Sequence, residues 1–176
     1  LDLRGNPGGL LREAVKVADL FLPQGSEVVS TQGRTSRATK SLKTHAKPYF
    51  NGDLVVLISK GSASASEIVS GALQDYDRAV LIGETTFGKG LVQSVAEINE
   101  TSKLKFTTAR YYLPSGRLIQ KKDYFTDNKV LLAHQDSTKA DALFYTASGR
   151  LVKSGRGVEP DITVEADFIP WVVTEL

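Results

Sequence analysis

Apolar residues recur at helical spacing over residues 10–22. Leu11, Val15, Ala18 and Leu22 share one face, which predicts an amphipathic helix stopped by Pro23 and Gly25. Residues 1–4 read as the end of a strand, and Asn6-Pro7-Gly8-Gly9 as a tight turn. Residues 27–31 predict a short strand. Residues 31–51 are polar and basic and predict a surface excursion, with a hairpin as one form it can take. Residues 54–59 form a short apolar, β-branched run, the pattern of a buried strand. A small-residue turn over 61–66 leads to a predicted helix over 67–77 and a second buried strand over 79–82. Strand, helix, strand in that order argues for parallel pairing and an α/β fold. Residues 103–112 alternate as a strand, and Pro114-Ser115-Gly116 is a turn. Residues 121–154 are weakly patterned and read as an insertion, after which 155–164 resume turn and strand character. The chain shows no internal repeat and no low-complexity tract.

Composition narrows the picture. The 176 residues suit one domain, with 41% hydrophobic and 24% charged positions as in ordinary globular proteins. A formal net charge of +2 gives no argument for nucleic acid or an anionic membrane. No apolar run reaches the roughly 18–20 residues that span a bilayer. With no cysteine, the chain has no disulfide, no thiol nucleophile and no thiolate metal site. It has no methionine either and starts on a strand end, so it reads as a fragment whose upstream part, with any signal or anchor, lies elsewhere.

Two stretches carry candidate chemistry. "GSASASE", residues 61–67, sits between a buried strand and a helix. A side chain there is held at the strand's carboxyl end, with the free N–H groups of the first helical turn around it. Such donors stabilise an oxyanion. Ser64 and Glu67 also match the S-x-x-E capping box, in which the serine only caps the helix. From the residues alone, Ser62, Ser64 and Ser66 compete on equal terms. "GETTFGKG", residues 83–90, nearly spells the phosphate-binding loop G-x-x-x-x-G-K-[ST]. Gly90 stands where the Mg²⁺-binding hydroxyl belongs, and the residues after it alternate instead of forming a helix, which argues against a nucleotide-dependent enzyme. A lysine between glycines has another use, as a base in an enclosed place, because burial disfavours the ammonium and lowers its pKa. Its plain reading is a surface lysine in a glycine turn.

"LDLRGNPGG", "GSASASE", "GETTFGKGLVQ" and "RYYLPSGRLIQ" occur in an order and spacing that resemble the carboxyl-terminal processing (tail-specific) proteases, serine peptidases with a Ser-Lys dyad. "GRGVEPDI" is similar to that family's closing segment. The resemblance implies that the middle serine, Ser64, is the nucleophile and that Lys89 is the base. It implies that Gln93 positions the lysine. Backbone N–H groups of Ala65 and of either Gly8 or Gly9 would form the oxyanion hole. If Gln93 touches Lys89, the backbone between them must turn before strand structure resumes near Ser94, because four extended residues span roughly 13 Å. The two histidines, His45 and His134, lie in stretches read as variable, which disfavours a histidine triad.

The resemblance further implies a crotonase-like or ClpP-like α/β core of β-β-α units around a twisted sheet, with a smaller β-rich part. Residues 1–122 and 155–176 would form the core, and 123–154 an insertion of unknown role. No metal or cofactor is expected. The expected partners are protein or peptide substrates bound as an extended strand, and a PDZ domain of the same full-length protein. A homo-oligomer is compatible with the family, and a bacterial periplasm or cell-envelope location follows from it. The alternative function is an inactive binding module of the same fold.

Overall fold

A computed structural model describes residues 1–121 and 143–164. In chain order the elements are α1 (Leu11–Asp19), β1 (Glu27–Gly33), a 3₁₀ turn (Ser36–Ala38), β2 (Lys40–Lys43), β3 (Val55–Ile58), α2 (Ala65–Asp75), β4 (Val80–Gly83), β5 (Leu91–Glu97), β6 (Lys103–Tyr112), β7 (Leu143–Tyr145), β8 (Leu151–Lys153) and β9 (Ile162–Thr163).

The predicted strand–helix–strand unit is present. β3, α2 and β4 follow one another, and β3 pairs parallel with β4 in the sheet order β3-β4-β9. The first residues extend this sheet, since Leu57 N–H donates to Leu1 O and Leu3 N–H to Leu57 O, both at 2.9 Å. Val56, Ile58 and Leu81 are fully buried and pack with Ile68, Ala72 and Leu73 of α2 in one core cluster. Every residue of α2 is buried, so its surroundings are protein on all sides. α1 contributes Ala14, Val15 and Ala18 to the same core.

A second, antiparallel sheet runs β2-β1-β6-β5. The basic excursion is therefore a hairpin: β1 returns as β2 with Ser30 opposite Ser41. The molecule is a mixed α and β protein with curled sheets. α1 ends three residues before the predicted boundary, yet Leu22 is still fully buried because the turn after the helix carries it into the core.

The stretch read as an insertion falls partly outside the described residues. Its last part, β7 and β8, is an antiparallel hairpin whose turn docks on the end of α2. Ala147 N–H donates to Asp75 O at 2.7 Å, and Arg150 reaches Asp77 and Asp161 at 2.6 Å each. These residues are tied to the core and are not a loose appendage.

The end of α2 also holds an ion pair removed from solvent. Arg117 Nη2 lies 2.8 Å from Asp75 Oδ1, with the two side chains 2% and 1% exposed. Arg117 also donates to Gln74 Oε1 at 2.7 Å, and Ser115 N–H donates to Asp75 Oδ2 at 2.9 Å. Burial pushes the Asp75 carboxyl up and the Arg117 guanidinium down, while their attraction opposes both shifts. The PSGR turn is thereby locked to the helix that begins at Ser64. Replacing one partner alone leaves a buried charge, so Arg117→Met is expected to cost about 3–5 kcal/mol, read from urea denaturation. The double variant Asp75→Leu/Arg117→Met should recover most of that loss, and a double variant as unstable as the single one would refute this account.

Candidate active site

Three serines compete in residues 62–66, and their surroundings separate them. Ser62 is fully buried and occupied: its hydroxyl donates to Leu3 O at 2.6 Å and accepts from Ser59 N–H at 3.0 Å. Ser66 is 4% exposed, inside the first turn of α2. Ser64 is half-buried and stands at the helix N-cap with φ +55° and ψ −113°. A left-handed conformation at a residue with a Cβ is costly and persists only where the surroundings enforce it. The capping box is present: Ser64 N–H donates to Glu67 Oε2 at 2.8 Å, and the Ser64 side chain faces the backbone N–H of Glu67.

Glu67 does far more than cap. It is fully buried, and its carboxylate receives four donors. Oε2 accepts from the Ser64 and Lys89 amides, both at 2.8 Å. Oε1 accepts from Thr86 Oγ1 at 2.5 Å and from the Gly88 amide at 2.7 Å. One oxygen thus holds the backbones of Ser64 and Lys89 side by side. Thr86 Oγ1 in turn accepts from Val158 N–H at 2.8 Å, so the closing segment of the chain is threaded into the same network. Burial lifts the Glu67 carboxyl above the usual carboxylate range, and the donated hydrogen bonds pull it back only in part.

The lysine loop is enclosed by chain that only glycine admits. Gly88 has φ +88°, and a Cβ there would lie 2.4 Å from Lys121 Cγ; at Gly90 it would lie 2.5 Å from the Gln120 backbone nitrogen. Gln120 Oε1 accepts the Gly90 N–H at 2.9 Å, and Lys121 N–H donates to Gly88 O at 3.1 Å. Lys89 is half-buried, and its side chain meets no hydrogen-bond or ion-pair partner among the described residues. After this loop comes β5 and not a helix, which removes the nucleotide-loop reading.

The N-P-G-G turn reaches the same place. A Cβ on Gly8, which has φ +86°, would lie 2.6 Å from Ala65 N and 2.4 Å from Ala63 O, so this glycine lets the turn press against the serine turn. The Gly8 N–H is spent on Asn6 Oδ1 at 2.9 Å. The Gly9 and Ala65 N–H groups have no acceptor among the described residues. The turn that precedes α1 therefore lies against the amino end of α2, where the positive end of that helix's dipole faces Ser64.

Gln93 is placed differently from expectation. The turn between Lys89 and Gln93 is absent: β5 begins at Leu91, and the path is interrupted only by a bulge between Val92 and Gln93. Gln93 is exposed and makes no hydrogen bond to Lys89. The reason is β6, whose pairing extends to Leu91 through Arg110 and holds the segment extended. His45 is exposed, with its backbone bound to Asp19 and Gln24; His134 lies outside the described residues. Glu67 had a sequence signal only as half of a capping box. Thr86, Gln120 and Val158 had none, because their roles come from contacts between segments distant in the chain.

This is an α/β protein that presents a strained serine at a strand-to-helix turn, beside a lysine in a glycine-walled loop. The profile of peptidase family S41 matches residues 1–130, and the chain belongs to that family. It is 51% identical over 126 residues to a carboxy-terminal-processing protease of Bartonella bacilliformis, covering 68% of this chain and 28% of that protein. It is 43% identical over 131 residues to a probable CtpA-like serine protease of Staphylococcus saprophyticus, covering 74% of this chain and 27% of that one. Among solved structures, the photosystem II D1 C-terminal processing protease superposes with a TM-score of 0.68 at 30% identity, over 97% of this chain and 35% of that one. The chain thus spans about a quarter to a third of the length of these relatives.

Glu67→Gln keeps the size of the side chain but turns an amide N–H₂ toward donors. It should lower the thermal midpoint and the stability by about 1–3 kcal/mol. Because burial raises the Glu67 pKa, its share of stability is full below the unfolded value of about 4.3 and fades as pH rises through the folded value. The gap in thermal midpoint between parent and Glu67→Gln is therefore expected to narrow from pH 4 toward pH 8. A gap that widens over that range would reverse the assigned shift.

Proposed function

We propose that this chain is the catalytic part of a serine endopeptidase with a Ser64-Lys89 dyad, acting on proteins near or from their carboxyl termini. One observation carries the reading: a single buried carboxylate oxygen binds the amides of both Ser64 and Lys89, so nucleophile and base are set by one anchor. The relatives' names and the family membership support the peptidase class.

In this reading the Lys89 amine takes the Ser64 proton as Oγ attacks the substrate carbonyl carbon. The carbonyl oxygen becomes an oxyanion held by the N–H groups of Ala65 and Gly9, the two left without acceptors. Gly8 serves close packing, not the oxyanion. Lys89 then returns the proton to the leaving amine as the peptide C–N bond breaks. Water hydrolyses the acyl-enzyme by the same route. Gln93 has no part in this reading, because the extended backbone of β5 carries it away from Lys89. β5 starts two residues after Lys89 and pairs, among the described residues, only with β6, so its other edge is the natural place for an extended substrate strand. β2, the edge at the other side of this sheet, is four residues long and carries Lys40 and Lys43, which suits an edge guarded against pairing. The reading extends to a crotonase-like or ClpP-like core, to recruitment by a PDZ domain of the full-length protein and to a cell-envelope location.

The test is degradation of a loosely folded protein by the parent, Ser64→Ala and Lys89→Ala, with circular dichroism to establish folding. Both variants should lose at least about 10³-fold in kcat/KM while staying folded. Cleavage by either variant at the parent rate would overturn the dyad.

A further inference from the structure

A groove of about 520 Å³ opens on the face of the antiparallel sheet. Leu11, just after the Gly8-Gly9 turn, stands at one side, and Val92 and Ser94, just after Lys89, at another. The groove therefore lies beside the segments that follow the N-P-G-G turn and the lysine loop. Its floor is small and apolar or hydroxylic: Leu42, Val92, Ala109 and the threonines of β6. Its far wall is the arm that joins β1 to β2, with the first residue of β2, and carries Arg34, Arg37 and Lys40, all exposed.

The arm holds its shape. Thr31 Oγ1 donates to Ala38 O at 2.8 Å and accepts from Lys40 N–H at 3.2 Å. Ala38 N–H donates to Thr35 O at 3.0 Å, closing the 3₁₀ turn. The cations are thus mounted on a fixed bracket over the groove. No carboxylate lines it, and among the described residues none pairs with Arg34, Arg37 or Lys40. Residues 28–52 contain no Asp or Glu at all. A positive wall with no internal counter-charge, above an apolar floor, is complementary to a ligand that brings carboxylates and small apolar groups together.

We propose that this groove selects substrate: it takes a segment of extended peptide that carries acidic side chains, with Arg34, Arg37 and Lys40 as specificity residues. The inference rests on the peptidase reading above. Three cations spread along the arm suit several side-chain carboxylates, whereas a single terminal α-carboxylate would meet only one of them. A nucleic acid fits less well, since among the described residues no aromatic side chain lines the groove for base stacking, and the net charge of the chain is only +2.

The test uses binding, so that it stands apart from the dyad. The Ser64→Ala variant is titrated, by fluorescence anisotropy at low salt, with two labelled peptides of equal length. One carries three Asp or Glu; the other carries Asn and Gln at those positions. Each is made with a free and an amidated carboxyl terminus. The acidic peptide should bind at least about tenfold tighter, with amidation making no difference, and the preference should shrink sharply at high salt. Arg34→Gln/Arg37→Gln/Lys40→Gln, in the Ser64→Ala background, should abolish the preference and leave the neutral peptide within about twofold. Equal binding of the two peptides, or a preference that survives the triple variant, overturns the proposal. So does a preference that depends on the free terminus, which would assign the groove to the α-carboxylate, or tighter capture of a single-stranded oligonucleotide. In the Ser64-intact chain, faster cleavage of the acidic peptide supports it. Failure of that chain to cleave either peptide would count against the dyad while leaving the binding result intact.

Discussion

The candidate site depends on one buried carboxylate. Glu67 accepts hydrogen bonds from the serine turn, the lysine loop and Thr86, and through Thr86 it reaches the segment that closes the fold. Burying a carboxylate is unfavourable unless its lone pairs are satisfied. Here all the satisfying donors come from the segments that must be brought together. The cost of burial and the positioning of the site are therefore linked: the donors offset part of that cost, and they do so only when Ser64 and Lys89 are side by side. That also explains how Ser64 is kept at φ +55°, since its own amide is one of the four donors and the helix behind it is buried on every side.

The surroundings repeat this logic. Gly8, Gly88 and Gly90 are places where backbone approaches backbone or a neighbouring stem so closely that a Cβ would collide. Each brings a loop against the serine or the lysine without using polar groups needed elsewhere. The division of labour at the N-P-G-G turn shows it best: Gly8 supplies the close approach and spends its N–H on Asn6, while the Gly9 N–H meets no acceptor among the described residues. At the far end of α2, Asp75 and Arg117 hold the PSGR turn, so the helix is pinned at both of its ends by buried charge.

The two sheets have different tasks. The parallel sheet and α2 provide the packed base from which the serine turn projects. The antiparallel sheet carries the segment after the lysine and offers what an extended ligand needs, an edge at β5 and a grooved face between β5 and the basic arm. A composition near neutrality overall conceals this arm, because its cations are balanced by acids elsewhere in the chain and not by acids beside it.

Much of this was legible in the residues themselves. The 3.6 and 2 periodicities located α1, α2, β3, β4 and β6 to within a few residues, because burial of one face dictates those patterns, and the strand–helix–strand order implied parallel pairing. The glycines around Lys89 announced an enclosed loop. What the sequence could not determine were relations between distant segments. Nothing local distinguished Ser64 from Ser62 and Ser66; only the fold buries Ser62 against Leu3 and Ser66 within α2. Glu67 read as a helix cap, since three of its four donors belong to residues 86–89, far along the chain. The turn expected before Gln93 gave way to a strand because pairing with β6 outweighs any local preference there. Local patterning is set by short-range sterics and by which face meets water, and a single chain displays both. Which donor satisfies which buried acceptor is decided by long-range closure, and that exists only in the folded molecule.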